Sequence, residues 1–146
     1  MNLNNHSFYI DSPILTNSTY KLTITRNSPI YLENGQLPEY HYHTAHMHVS
    51  REGSYTFFID STVDAFISIY KKYFDPNDLS INSIRRSYID NTNYQLKFTT
   101  NLRMNETYTL LVSAISPEIA SSISIFSIGP SLIVFNQTSK YITHDK

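Results

Sequence analysis

Three observations predict an all-β fold. Apolar and polar residues alternate with period two through most of the chain, and no apolar stripe of period 3.6 persists for a helical length. Turn-forming clusters interrupt this alternation at the regular spacing of a sandwich or barrel. The composition, with 12 Tyr, 8 Phe, only 3 Gly and many Ile, Thr and Ser, favours strands joined by polar loops. The 146 residues suit one domain that closes one apolar core. Hydrophobic residues make up 40% and charged residues 16%, with a formal net charge of -1, which argues against charge-driven disorder and against a basic nucleic-acid surface.

The clearest alternation predicts strands over residues 19–26, 43–49, 54–60, 65–71, 94–100, 107–113 and 122–128, with weaker ones over 7–10 and 82–88. Between them lie Asn34-Gly35, Arg51-Glu52-Gly53, Asp75-Pro76-Asn77-Asp78, Asp90-Asn91-Thr92-Asn93 and Ser116-Pro117-Glu118, whose residue types favour turns. The pleat sends alternate side chains to opposite faces. Leu22 and Ile24, Tyr55, Phe57 and Ile59, and Ala65, Ile67 and Ile69 are therefore expected inside, with Tyr108, Leu110, Val112, Ile123 and Ile125. Thr109, Ser113 and Ser124 are expected to face outward. Three regions follow: an N-terminal segment with a leading strand (1–42), a sandwich core (43–130) and a tail or linker (131–146). No internal repeat stands out.

The chain has no Cys, which removes disulfides, thiolate metal sites and cysteine nucleophiles together. Its longest apolar stretches, near residues 110–115 and 123–135, are broken by Ser, Pro or Gly short of the ~20 residues a membrane-spanning helix needs. Residues 1–12 lack the charged start and apolar run of a secretion signal. The N-x-Ser/Thr acceptor pattern for N-glycosylation nevertheless occurs at Asn5, Asn17, Asn105 and Asn136, each without proline in the middle position.

The order of strand, acidic turn, strand and loop in Gly53-Ser54-Tyr55-Thr56-Phe57-Phe58-Ile59-Asp60-Ser61, Asp64-Ala65-Phe66-Ile67-Ser68-Ile69-Tyr70 and Phe74-Asp75-Pro76-Asn77 resembles the bacterial pre-peptidase C-terminal (PPC) domain. The likeness continues through residues 96–100, Asn105-Glu106-Thr107-Tyr108-Thr109-Leu110-Leu111-Val112, Ser116-Pro117-Glu118 and Ile123-Ser124-Ile125 to Gly129-Pro130, about two-thirds of the chain. In detail it looks like the copies found in large extracellular proteins of small invertebrates such as rotifers. The resemblance implies a jelly-roll-like antiparallel β-sandwich without catalytic residues or a cofactor. Such domains accompany secreted enzymes or repeat in surface and adhesion proteins, so the resemblance also implies an extracellular or cell-surface home within a longer protein. Where many relatives carry an acidic run, this chain reads Ile84-Arg85-Arg86-Ser87-Tyr88-Ile89-Asp90-Asn91, which speaks against a calcium role.

Four imidazoles fall within His41-Tyr42-His43-Thr44-Ala45-His46-Met47-His48, and neutral imidazole is a common ligand of zinc or copper. In an unbroken strand His41 and His43 share one face and His46 and His48 the other. With Ala45, Met47 and Val49 inward, His46 and His48 form a surface pair able to hold metal weakly. Asp60 and Asp64 could pair as carboxylates but flank a turn whose amides they are expected to cap. Neither a G-x-S-x-G elbow nor a glycine-rich phosphate loop occurs. Tyr40, Tyr42, Tyr70 and Tyr73 are candidates for stacking on sugar rings or packing on a protein partner. Arg85 and Arg86 are expected at the solvated surface. The leading expectation is a non-catalytic extracellular module for adhesion or for binding a glycan or protein. An accessory domain of a secreted hydrolase and a weak His-rich metal binder are the alternatives.

Overall fold

The computed structural model describes residues 14–61, 63–89, 95–115 and 121–138. Ten strands follow in order: β1 (Thr16–Ile24), β2 (Ile30–Glu33), β3 (Gln36–Val49), β4 (Gly53–Ser61), β5 (Ala65–Lys71), β6 (Ser83–Ile89), β7 (Gln95–Leu102), β8 (Tyr108–Ile115), β9 (Ser121–Gly129) and β10 (Ile133–Gln137). Two antiparallel sheets pack as a β-sandwich: a four-stranded sheet ordered β1-β9-β4-β7 and a six-stranded sheet ordered β10-β3-β8-β5-β6, with β2 also paired to β3. No helix among the described residues is long and apolar enough to cross a membrane. The expected strand over 7–10, the turns at 90–93 and 116–118, and Asn5 lie outside the described residues.

The inward sets expected from the pleat form one core between the sheets. Leu22, Ile24, Tyr55, Phe57, Ile59, Ile123 and Ile125 from the first sheet meet Ala65, Ile67, Ile69, Tyr108, Leu110 and Val112 from the second. Met47, Val49, Phe98, Leu102, Ala114 and Ile133 complete it. At Gly129 the close approach requires glycine, because a Cβ there would overlap the Tyr55 ring. The Tyr55 hydroxyl donates to the Arg51 carbonyl at 2.6 Å and lies 2.7 Å from Ser131 Oγ, which fixes that ring across the strand end.

Two expectations are corrected. The leading strand expected within 1–42 is β1, followed there by β2 and the first part of β3, but β10 (Ile133–Gln137) lies where a tail or linker was expected from residue 131. Ile133 is buried, and its N–H donates to Ser18 Oγ at 2.9 Å, joining the last strand to the first across the two sheets. A single core is not enough either. Thr109 and Ser113 do point away from the main core, yet they are buried, because β2 and the β5–β6 loop cover the outer face of the second sheet. There Tyr31, Tyr40, Tyr70 and Leu111 form a second cluster, joined by Tyr42, Phe66, Phe74 and Leu79.

The route of β3 explains the site that follows. Its residues 40–47 pair with β8 on one edge; the other edge is shared end to end by β2, opposite residues 36–41, and β10, opposite residues 45–49. Between these partners the chain is stitched by Tyr42 N–H donating to the Pro29 carbonyl and Thr138 N–H donating to the Thr44 carbonyl, both at 2.9 Å. The β2–β3 hairpin turns on Asn34-Gly35, both at positive φ (56° and 71°), the conformation a two-residue turn of this hand demands.

Candidate functional site

Counting outward along β3, Tyr42, Thr44 and His46 alternate with the core-facing His43, Ala45 and Met47, and so line one row on the outer face of the second sheet. Thr109 of β8 lies beside them, and residues after β5 arch over the row. That arch is anchored at both ends: Lys72, at φ 73°, donates its N–H to the Thr107 carbonyl at 2.8 Å, Thr109 Oγ1 donates to the Lys72 carbonyl at 2.7 Å, and Lys71 N–H donates to the Asn82 carbonyl at 2.8 Å. Phe74 pins it down, its ring edge-on to Tyr31 and Tyr42 with centroids 5.6 and 5.3 Å away. Asp75 Oδ1 accepts the Asn77 N–H at 2.8 Å and Asp78 Oδ1 the Ser80 N–H at 3.1 Å, so the carboxylates of this acidic loop shape its own turns.

Between arch and sheet lies an open cleft of about 570 Å³. Tyr73, 55% exposed, stands at its rim; Tyr42, Phe74, Pro29, Ile30 and Pro76 give it apolar walls, and Thr44, Thr109, Thr138 and His46 give it hydroxyls and an imidazole. Thr138 Oγ1 donates to Thr44 Oγ1 at 2.9 Å. None of the lining residues is Asp, Glu, Lys or Arg, so the surface suits a neutral ligand with both apolar and hydroxyl faces. Burial holds the Tyr42 phenol above its ordinary pKa, so this hydroxyl stays protonated and available as a donor.

The cleft gathers three of the residues singled out in the sequence: Tyr42, Tyr73 and His46. Tyr40 and Tyr70 are not surface rings. They are buried in the second cluster, 7% and 1% exposed, Tyr40 stacked on Tyr31 at 5.1 Å and Tyr70 against Phe74 at 5.3 Å. His46 and His48 share the outer face, edge-on with centroids 6.5 Å apart, His46 half-buried and His48 exposed. Among the described residues no group of three or more His, Asp or Glu is placed to hold a metal ion. His41 and His43 face the other way: His41 Nδ1 lies 3.3 Å from the Ser28 carbonyl, and His43 is buried with Nε2 2.6 Å from the Tyr20 hydroxyl.

The turn after β4 is capped by a residue the sequence did not single out. Ser61 Oγ accepts the Val63 N–H at 3.2 Å and donates to the Val63 carbonyl at 2.7 Å, while Asp64 Oδ2 accepts from Tyr88 at 3.1 Å and Asp60 lies exposed. Arg86 is more than solvated surface: it pairs with Glu33 at 2.8 Å and lies 4.5 Å from the Phe66 centroid, tying β6 to β2 beside the second cluster. Arg85 lies 5.1 Å from the Phe98 centroid. Asn17, Asn105 and Asn136 are all exposed, on β1, before β8 and on β10. Phe74, Pro29 and Thr138 were missed as site residues because nothing local marks them; only the pairing of β2 and β10 with β3 brings them together. In comparisons with protein-family models, with curated proteins and with solved structures, nothing matches this chain.

Proposed function

We propose that the chain is a non-catalytic extracellular module that binds saccharide in the cleft between β3 and the β5–β6 arch, built on a sandwich of the jelly-roll, PPC-like kind. The observation that carries this reading is the charge-free cleft with an exposed Tyr73 at its rim and threonine hydroxyls on its floor. A pyranose offers an apolar C–H face to a tyrosine ring and hydroxyls to polar side chains, and this lining supplies partners for both. The exposed acceptor asparagines Asn17, Asn105 and Asn136 favour an extracellular home. An open site with one exposed ring fits weak binding, a Kd of about 1 mM, or about -4 kcal/mol.

The test is titration of protein made in the bacterial cytoplasm with free mono- and disaccharides at concentrations up to about 50 mM, read by chemical-shift changes. One aromatic contact is worth about 1 kcal/mol, so Tyr73→Ser should weaken a genuine hit roughly fivefold. Phe126→Ser, on the exposed face of the other sheet, should leave it unchanged. Hits that ignore Tyr73, or no saccharide that binds at concentrations up to about 50 mM, would refute the reading.

A further inference from the structure

We propose that Asn136 is a modification site whose carbohydrate closes the cleft, an N-linked glycan on this side chain lying against His46 and Tyr73 and excluding ligands that arrive from outside. The inference rests on the saccharide reading of the cleft and names how that site is regulated.

Asn136 lies directly opposite His46 in the β10–β3 register, on the same outward face, and paired Cβ atoms stand about 5 Å apart. The residue that completes its acceptor triplet, Thr138, is itself part of the cleft wall, bonded through Oγ1 to Thr44. The acceptor sequence is thus built into the edge of the site. β10 is the outermost strand of its sheet and Asn136 is exposed, so a sugar on Nδ2 has room to leave the strand. The other described acceptors lie elsewhere: Asn17 opposite Ile128 on the first sheet, and Asn105 beside Lys71 and Lys72. Neither lines the cleft.

In the transfer, Asn136 Nδ2 bonds to the anomeric carbon of a lipid-pyrophosphate-linked oligosaccharide. The carbon–oxygen bond to pyrophosphate breaks, the lipid pyrophosphate departs, and one Nδ2 proton passes to a base of the transferase. The Thr138 hydroxyl is committed to Thr44 after folding, so the transfer precedes closure of β10 on β3. Once rooted beside the cleft, the glycan presents its first sugars at millimolar effective concentration or above. That matches a Kd of about 1 mM, so the tethered sugar fills the site at least about half of the time and competes with any free saccharide.

The test uses the full chain secreted from a eukaryotic host, with peptide mapping of Asn136 and Asn105. Enzymatic removal of the native glycans should proceed about 1.7-fold faster at Asn136 in Tyr73→Ser than in wild type, since losing about 1 kcal/mol of ring contact raises the open fraction from about one half to about five sixths, with the rate at Asn105 unchanged. Free N,N′-diacetylchitobiose should bind Asn136→Gln about twofold more tightly than the glycosylated wild type. A rate difference at Asn136 without chitobiose binding by Asn136→Gln keeps the closed cleft and refutes binding in trans. Equal rates in both proteins, an unmodified Asn136 beside a modified Asn105, or no modification at either site overturns the proposal.

Discussion

Lowering the pH should destabilise this protein through one residue, His43. Its ring is 6% exposed, lies 5.6 Å from the Tyr20 ring, and shares a 2.6 Å hydrogen bond with the Tyr20 hydroxyl, while Phe135 stacks on Tyr20 at 4.8 Å. Burial disfavours the imidazolium and lowers the His43 pKa from 6.5 to about 4. The unfolded chain therefore binds more protons than the folded one between those values. The stability that neutral His43 contributes is complete above 6.5 and is lost as the pH falls toward 4. At pH 4.5 the linkage amounts to about 2.5 kcal/mol relative to pH 7, a sizeable part of the 5–15 kcal/mol typical of a domain. For a chain of this length it lowers Tm by roughly 5 to 10 °C. Other groups titrate in the same window, so the assay compares wild type with His43→Gln by thermal melts at both pH values. The variant keeps a hydrogen-bonding partner for Tyr20 and loses the titration. It should be less stable than wild type at pH 7 and should lose about 2.5 kcal/mol less on acidification. Equal losses in the two proteins would show that His43 is solvated well enough to protonate in place, and would sink the reasoning.

Gly129→Ala should lower Tm by roughly 2 to 12 °C, since overpacking a filled core costs about 1–3 kcal/mol and the Tyr55 ring that the new Cβ would overlap is bonded at its hydroxyl; an unchanged melt would contradict this. Tyr31→Phe removes the partner of buried Ser113 Oγ, now 2.9 Å from the phenol, and should cost about 1–3 kcal/mol in denaturant titration, most of which Tyr31→Phe with Ser113→Ala recovers. Ser127→Ala should be neutral or stabilising by about 1 kcal/mol, because this hydroxyl is buried without a hydrogen-bond partner among the described residues; a clear loss of stability would reveal a partner. Melts in millimolar calcium and in chelator should superimpose, since Asp75 and Asp78 are engaged in their own turns; a rise of several degrees, reversed by chelator, would overturn that expectation.

Strand positions and inward faces were legible wherever one side of a strand meets solvent or polar cover, because a period of two then survives in the sequence, as in Tyr55-Thr56-Phe57-Phe58-Ile59. Three features hid. β2 is only four residues long and is squeezed between Pro29 and the Asn34-Gly35 turn. The first half of β3 contains Pro38, which reads as a strand breaker; it is tolerated because Leu37 and Pro38 fall in the irregularity between the Leu32–Glu39 and Glu33–Gln36 pairs, where no ladder N–H is needed. β10 looked like tail because Asn136 and Gln137 are polar, although Ile133 reaches the core. For the site, alternation tells which face Tyr40, Tyr42 and His46 occupy but not what covers that face. The arch sorts the tyrosines, burying Tyr40 and Tyr70 and leaving Tyr42 and Tyr73 to the cleft, and its position depends on contacts far apart in the chain.

The central place of β9, between β1 and β4, has a consequence for the protein while it is being made. β1 leaves the ribosome before every other described strand, yet its sole described strand partner is synthesised about a hundred residues later. At the usual elongation rate of about 5–20 residues per second, β1 waits roughly 5 to 20 s with its backbone unpaired. The side chains of its exposed row, Asn17, Thr19, Lys21 and Thr23, are all polar and give a nascent strand little to stick with. A chain stopped before residue 121 leaves β1 and one edge of β4 without the strand that joins them, so the first sheet is joined only once β9 has been synthesised.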